Sequence, residues 1–328
     1  RIRGRAVNGI LFCLRISLRL LRYSRRGDLI IYTTEPPYLP LLGWVLHRFT
    51  HTPYLVIIYD LYPDVLIELG VLPADHLVVR LWRQFNSWMF ADAQKLIVLS
   101  EPMAERIRGS DPSSASKLSV IPSWADPQKI RPLAKGDNWF VQKHNLADRF
   151  TVLYSGNQGR CHDLVTVMAA ALLLRHISDV TFLFIGKGAQ HQRLLQLVHD
   201  WGLGNCLFLP YQDLEDLPYS LAAADLALVT LSIEAEGLVA PSKLYGHLAA
   251  GTPIAAITPP DCYLREMVEQ EHCGRWFANG NAEDLAAWIC ELKKNPAAAR
   301  SIGEEKDIFD PFSQSLDFGA LNRDLIAR

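Results

Sequence analysis

Phe150-Thr-Val-Leu-Tyr-Ser-Gly-Asn-Gln-Gly-Arg160 is the stretch that decides the fold. Its opening residues have the unbroken apolar character of a strand covered on both faces. Glycines follow at 156 and 159, and a helix is expected next. That junction is an anion site. Gly156 and Gly159 let the backbone turn tightly and approach a ligand, while the free N–H groups and dipole of the following helix favour a phosphate. Arg160 adds a fixed positive fork. A second stretch, Ala240-Pro-Ser-Lys-Leu-Tyr-Gly-His-Leu-Ala-Ala-Gly-Thr-Pro-Ile254, repeats the logic, with Pro241 and Ser242 at its helix start. Together the two imply a diphosphate held between two helix ends.

Working outward, short apolar runs recur with helical spacers between them. They are Leu29–Thr34, Tyr54–Asp60, Lys95–Ser100 and Leu118–Pro122, then Thr151–Ser155, Val180–Gly186, Cys206–Pro210, Leu226–Leu231 and Pro253–Thr258. Continuous rather than alternating apolarity is what a parallel sheet covered on both faces requires. The expected fold is therefore α/β, two Rossmann-like doubly wound domains facing a cleft, with ligands at the carboxyl ends of the strands. Residues 125–149 are rich in prolines and charges and are assigned to the linker. The expected domains are 1–135, 136–308 and a tail helix, 309–328, returning toward the first domain. Ser155-Gly156-Asn157, Gly186-Lys187-Gly188, Pro210-Tyr211-Gln212 and Glu234 with Glu236 follow four successive strands, so four strand ends are expected to converge on one rim.

The 328 residues suffice for two domains, and 49% of them are apolar with a formal net charge of −2. That balance argues against disorder and against a general nucleic-acid footprint. Charge is nevertheless uneven: residues 1–26 hold eight arginines and no acid, interleaved with leucines, isoleucines and Phe12. Such a helix suits either a core-packing role with a solvated basic face or an anionic membrane surface. Trp82, Phe85, Trp88 and Met89 pose the same choice between core and membrane. No apolar run is long enough to span a bilayer, because Arg15, Asp60, Arg80 and Asp225 interrupt the candidates. Six cysteines without C-x-x-C pairs point to a reducing compartment and against a zinc or disulfide framework. The expectation is a cytoplasmic protein, either soluble or peripheral at the inner face of the membrane. The absence of an initiator Met or signal pattern at Arg1 suggests a chain missing its true N-terminus.

The second half resembles glycosyltransferase family 4, the retaining GT-B enzymes, in its bacterial polysaccharide branch of colanic-acid type. The resemblance is carried by Tyr154-Ser-Gly-Asn-Gln-Gly159, Phe184-Ile-Gly-Lys-Gly188, Pro241-Ser-Lys243 and Leu248-Ala-Ala-Gly-Thr-Pro253. In the first half Thr34-Glu-Pro-Pro37, Asp60-Leu-Tyr-Pro-Asp64, Val98-Leu-Ser-Glu101 and Val120-Ile-Pro-Ser-Trp-Ala-Asp126 are similar to the same branch. The opening strand and glycine loop of the first domain are missing from the match. The resemblance implies transfer of a sugar, with retained configuration, from a nucleotide-sugar donor to a saccharide or polyprenyl-linked acceptor, with no metal and no cofactor. It places Ser155, Gly156, Asn157, Gly159 and Arg160 at the donor diphosphate, with Lys243 stabilising the leaving group between Ser242 and Leu244. Gly186, Lys187 and Gly188 would border the nucleotide, and Tyr211 would line the base pocket or stand as a surface aromatic. His162 occupies a position that often holds a basic residue, either as a neutral hydrogen-bond donor or as a structural histidine.

The sequence departs from the resemblance at Gly246, where a ribose-binding glutamate is expected and glycine offers no acceptor. Glu236 is preferred over Glu234 as the catalytic glutamate because Gly237-Leu238-Val239 follows it. Asp60 is an assisting base or the cap of a turn before Pro63. The leaving phosphate itself is expected to take the acceptor proton. Two other readings stay open: a nucleotide-sugar 2-epimerase of the same fold, and a non-catalytic nucleotide- or carbohydrate-binding partner. No G-x-G-x-x-G with a following acid appears after a strand, which argues against an NAD oxidoreductase.

Overall fold

The structure, a computed structural model, describes residues 2–24, 28–296, 299, 301 and 302. The expected tail helix at 309–328 lies outside the described residues, as do Arg1, Arg25 and Arg26. The chain forms two compact units, Arg1–Ser123 with Ile233–Ala240, and Trp124–Ser232 with Pro241–Arg328.

In the first unit four strands run parallel in sequence order: β1 (Ile30–Thr33), β2 (Tyr54–Ile58), β3 (Lys95–Val98) and β4 (Leu118–Val120). Val56, Ile58, Leu96 and Val98 are buried almost completely, which accounts for the absence of polar alternation in their sequence. Residues Ile233–Ala240 belong to this unit although they follow the second unit's fourth strand. They are tied in by Leu61 N–H donating to the Leu238 carbonyl at 2.9 Å and by an isolated antiparallel bridge between Asp60 and Val239. The Arg106 Nη2 also donates to the Glu236 carbonyl at 2.7 Å.

The second unit is a six-stranded parallel sheet of β5 (Phe150–Ser155), β6 (Val180–Ile185), β7 (Cys206–Leu209), β8 (Leu226–Thr230), β9 (Ile254–Thr258) and β10 (Gly274–Ala278). Their order is β10-β9-β8-β5-β6-β7. The chain winds outward from β5 through β7, then restarts at β8 beside β5 and winds the other way. The reversal sits between β5 and β8, and in such sheets the crevice at the carboxyl ends beside the reversal is where ligands bind. Alternate residues of β5 and β6 feed opposite cores. Val152, Tyr154, Phe182 and Phe184 join the helices Leu164–Leu173 and Ala282–Lys294, while Leu153, Leu183 and Ile185 pack with Phe140, Val141 and Leu146.

Three expectations change here. The chain enters its second unit at Trp124 rather than near residue 135, and the assigned linker contributes to the core. Its Trp139–Lys143 helix buries Phe140 and Val141 completely, and Asn138 caps it by accepting from Phe140 N–H at 3.0 Å. Three apolar residues, Trp139 to Val141, are too short a run to mark an element in the sequence. Strand β10 was not anticipated, because Gly274-Arg-Trp-Phe-Ala278 is only partly buried and lacks a continuous apolar signal. Finally, Glu234 and Glu236 leave with the 233–240 segment, so the end of β8 is represented in the second unit by Thr230 and not by those glutamates.

Phe182 is fully buried in the centre of the second unit. Phe182→Ala should lower the stability of that unit by about 3–5 kcal/mol in urea unfolding, the cost of a large cavity that packed neighbours fill incompletely.

Candidate functional site

At the carboxyl end of β5 the chain turns through Gly156 with φ of 138°, and at the end of β6 through Gly186 with φ of 117°. The two turns lie backbone against backbone. A Cβ at Gly186 would sit 2.2 Å from the Gly156 carbonyl oxygen, and one at Gly188 would sit 2.3 Å from Gln158 main-chain atoms. Only glycine permits both the positive φ and the approach. Hydrogen bonds close the seam. Gln158 N–H donates to Lys187 C=O at 3.1 Å, and Gln190 N–H donates to Gln158 C=O at 3.0 Å. The Gln190 side chain donates to the carbonyls of Gly159 at 2.6 Å and His162 at 2.8 Å. Buried Gln158 reaches Gly186 C=O through Nε2 at 3.3 Å and accepts from His191 Nδ1 at 2.7 Å. The glycine turn is therefore held in one shape before any ligand arrives.

Beside that turn stands Lys243, the first residue of the helix Lys243–Ala249. Its Cε lies 3.4 Å from where a Gly156 Cβ would be. Nζ donates to the Tyr154 hydroxyl at 2.8 Å and lies 4.2 Å from the centre of that ring. On another side Nζ is 3.3 Å from His162 Nε2. His162 Nδ1 is 2.7 Å from the Thr230 carbonyl, so Nδ1 carries the proton and Nε2 is left as an acceptor for the lysine. Among the described residues no carboxylate forms an ion pair with Lys243.

An ammonium removed from water without a counter-charge is costly, and burial pushes the Lys243 pKa down to about 7. Burial, and then Lys243 itself, press His162 down to about 3. His247, fully buried one helical turn beyond Lys243, is pushed to about 3 by the same two causes. The two imidazoles are thus neutral, and the lysine is poised between its two forms near pH 7. Lysines and histidines this perturbed gather where ligands bind.

The remaining expected residues divide. Ser155 is half-buried at the strand end, Asn157 is exposed, and its carbonyl accepts from the Tyr154 hydroxyl at 2.6 Å. Lys187 is exposed, and its carbonyl accepts from the Tyr211 hydroxyl at 3.0 Å, so Tyr211, 56% exposed, lies over the second turn. Ser242 precedes the lysine helix without a side-chain cap. Leu244 is a core residue with no exposed surface, so its side chain is not available to a donor. Arg160 is exposed, and no contact among the described residues joins it to Lys243.

Two further corrections concern helix ends and the departure at Gly246. The helix after the glycine turn begins only at Leu164, and its N-terminus is occupied by the protein's own carboxylate. Asp163 accepts from Thr166 N–H at 3.1 Å and from its hydroxyl at 2.6 Å. That end is already capped, which leaves the turn amides and Lys243 as the remaining candidates for an anion. A Cβ at Gly246 would meet Leu221 Cδ1 at 3.1 Å, so the glycine lets two helices pack closely and no carboxylate projects from there.

In the first unit a cavity of about 310 Å³ is lined by Thr34, Asp60, Trp82, Arg83, Asn86 and Arg106 among others. Burial and the neighbouring Glu35 raise the Asp60 carboxyl to about 6. Thr34 Oγ1 accepts from Tyr59 N–H at 3.0 Å and Asp60 N–H at 3.4 Å, which fixes the backbone beneath that carboxyl. Glu236 lies in this unit, where its carbonyl accepts from Arg106 Nη2. Sequence reasoning missed Tyr154, Gln158, Gln190 and His247. Tyr154 alone carried a signal, a polar-tipped ring one residue before the end of an otherwise apolar strand.

A family model described as "Glycosyl transferases group 1" matches residues 137–307, and one described as "Glycosyl transferase 4-like domain" matches 3–124. The probable glycosyltransferase WbjE of Pseudomonas aeruginosa is 27% identical over 310 residues, 93% of this chain and 72% of that protein. Among solved structures, sucrose-phosphate synthase from Thermosynechococcus elongatus superposes with a TM-score of 0.75 at 23% identity, over 96% of this chain and 77% of that one. Anabaena HepE, solved with UDP and glucose, gives 0.71 at 17% identity over 96% and 80%. These likenesses establish the fold as the two-domain GT-B type.

The Lys243 pKa sets a sign for stability against pH. Unfolded, the lysine holds its proton up to about 10.5; folded, it releases it near 7. Between those values the unfolded state binds more protons, so stability contributed at this site rises with pH from about 7 upward. Urea midpoints measured from pH 7 to 9.5 should climb in the wild type relative to Lys243→Met, which lacks the titrating group.

Proposed function

The chain belongs to the group 1 glycosyl transferases, and on that premise we propose that its second unit binds a nucleotide-sugar through the diphosphate and transfers the sugar. The observation that carries this reading is the Lys243 ammonium, pinned beside Gly156 with no carboxylate partner. The UDP bound to Anabaena HepE supports a nucleoside diphosphate in that place. A diphosphate seated on the turn amides would give Lys243 its counter-charge, and Arg160 is exposed enough to swing toward the same anion.

In the proposed reaction the bond between the anomeric carbon and the diphosphate oxygen breaks, and its electron pair stays on the phosphate. Lys243 and the turn amides stabilise that developing charge, so no metal ion is assigned to the role. The acceptor hydroxyl attacks the face the phosphate leaves, giving retention, and its proton passes to a phosphate oxygen. Asp60, raised to about 6, is largely ionised at neutral pH and is assigned as an assisting base, with Glu236 the catalytic glutamate. His162 is assigned to the diphosphate side of the site, and Gly186, Lys187, Gly188 and Tyr211 to the nucleoside.

The acceptor is a saccharide or polyprenyl-linked saccharide, and the pathway is bacterial surface polysaccharide synthesis of colanic-acid type. The motifs at 60–64 and 98–101 support that branch. No helix among the described residues is long and apolar enough to cross a membrane. Peripheral attachment of a cytoplasmic enzyme is supported by the helix Ile2–Tyr23, which exposes Leu11, Leu14, Leu18 and Leu21 beside Arg15, Arg19 and Arg22.

Lys243→Met should lower release of nucleoside diphosphate from the donor by about 10²–10³-fold with circular dichroism unchanged, and full activity would sink the leaving-group role. In flotation assays the protein should rise with anionic vesicles and be released by salt, whereas failure to bind them removes the peripheral reading.

A further inference from the structure

The lysine that carries the proposed function does not stand alone, and what holds it follows from valence. An ammonium has three N–H donors. One is given to the Tyr154 hydroxyl at 2.8 Å, and another faces His162 Nε2 at 3.3 Å. Both acceptors are themselves fixed from behind. The Tyr154 hydroxyl spends its own proton on Asn157 C=O at 2.6 Å, inside the glycine turn. His162 spends its Nδ1 proton on Thr230 C=O, at the end of β8. The two strands that flank the reversal of the sheet are thus each tied to Nζ, one through a phenol and one through an imidazole.

We propose that Tyr154 and His162 are positioning residues that hold the Lys243 ammonium at Gly156, leaving a single N–H of the three for an incoming diphosphate oxygen. This rests on the diphosphate reading of the site. His162 acts here as a neutral acceptor and adds no positive charge to the anion. Tyr154 couples two parts of the site, since the same hydroxyl that receives the lysine donates to the turn whose amides would meet the ligand. A lysine without these rests would sample the rotamers of a four-carbon chain, and each binding event would have to freeze them again.

The groups that face Lys243 are Tyr154 from β5, Cys161 and His162 from the turn, and His247 from its own helix. Both rests favour the charged form of the lysine, so removing either should lower its titration midpoint further. Tyr154→Phe keeps the buried ring and its packing but deletes the oxygen. His162→Phe keeps the edge-on contact with Tyr154, now 5.9 Å between centroids at 70°, and deletes Nε2.

The test is calorimetric titration of inorganic pyrophosphate into the full-length protein from pH 6 to 9, with Lys243→Met as the baseline. Tyr154→Phe and His162→Phe should each bind about five- to tenfold more weakly at pH 7.5, and the pH at which affinity falls should move down. Lys243→Met should bind weakly without the lysine's pH step. If Lys243→Met binds pyrophosphate like the wild type, the diphosphate reading itself is overturned. If Lys243→Met is impaired but both aromatic variants keep wild-type affinity and midpoint, the positioning role is overturned and the site survives. A loss of affinity in either variant without movement of the midpoint also overturns it, because a packing defect alone would not retune the lysine.

Discussion

An ammonium held by a phenol oxygen and an imidazole nitrogen, with no carboxylate paired to it among the described residues, is the constraint around which the second unit is arranged. Burying a cation unpaired is unfavourable, and nothing in the packing of a parallel sheet demands it. The arrangement makes sense as one half of an ion pair whose other half arrives with the ligand. Several features serve that half-pair. The reversal of strand order places β5 and β8 side by side, which puts Tyr154 and Thr230 on either side of the lysine. The short helix Lys243–Ala249 starts at the lysine itself, so the side chain projects from a fixed point.

The anion site depends equally on two backbones that touch. Side chains at 186 or 188 would collide with main-chain atoms of 156 and 158, so both glycines are required by approach, and Gly186 by torsion as well. Gln158 and Gln190 then satisfy the carbonyls that this approach buries, as a seam of main chain away from water requires. A turn fixed in this way loses little conformational freedom when a ligand binds.

Much of the fold was legible because buried parallel strands need continuous apolar runs, and nine of the ten observed strands coincide with runs that could be marked in the sequence. The exception, β10, is half-buried, so its sequence carries polar residues that break the run. The core contribution of the stretch assigned to the linker was hidden because the apolar run at Phe140 and Val141 is too short to signal an element. Within the site, Gly156, Gly186, Gly188 and Lys243 were legible, since strand-end glycines and a Pro-Ser-Lys helix start have local signatures. Their supports were less so. His162 was marked as a candidate and Tyr154 was not, but both reach Lys243 through contacts spanning 81 and 89 residues, and no local pattern encodes such pairings. For a related reason chain order does not show that the segment around Glu236 packs with strands far upstream.

Asp163 occupies the end of the helix that follows the glycine turn, and the consequence reaches beyond geometry. A helix dipole attracts anions equally at every acidity, whereas a lysine poised near 7 must gain a proton to do so. With the dipole already engaged by the protein's own carboxylate, attraction at this site falls to a group that can be discharged. On the proposed reading, a diphosphate settling there would favour the protonated lysine, so its binding would draw in a share of a proton that grows as pH rises above about 7. Its departure would let the lysine relax toward the neutral amine, leaving less buried charge stranded in the empty pocket.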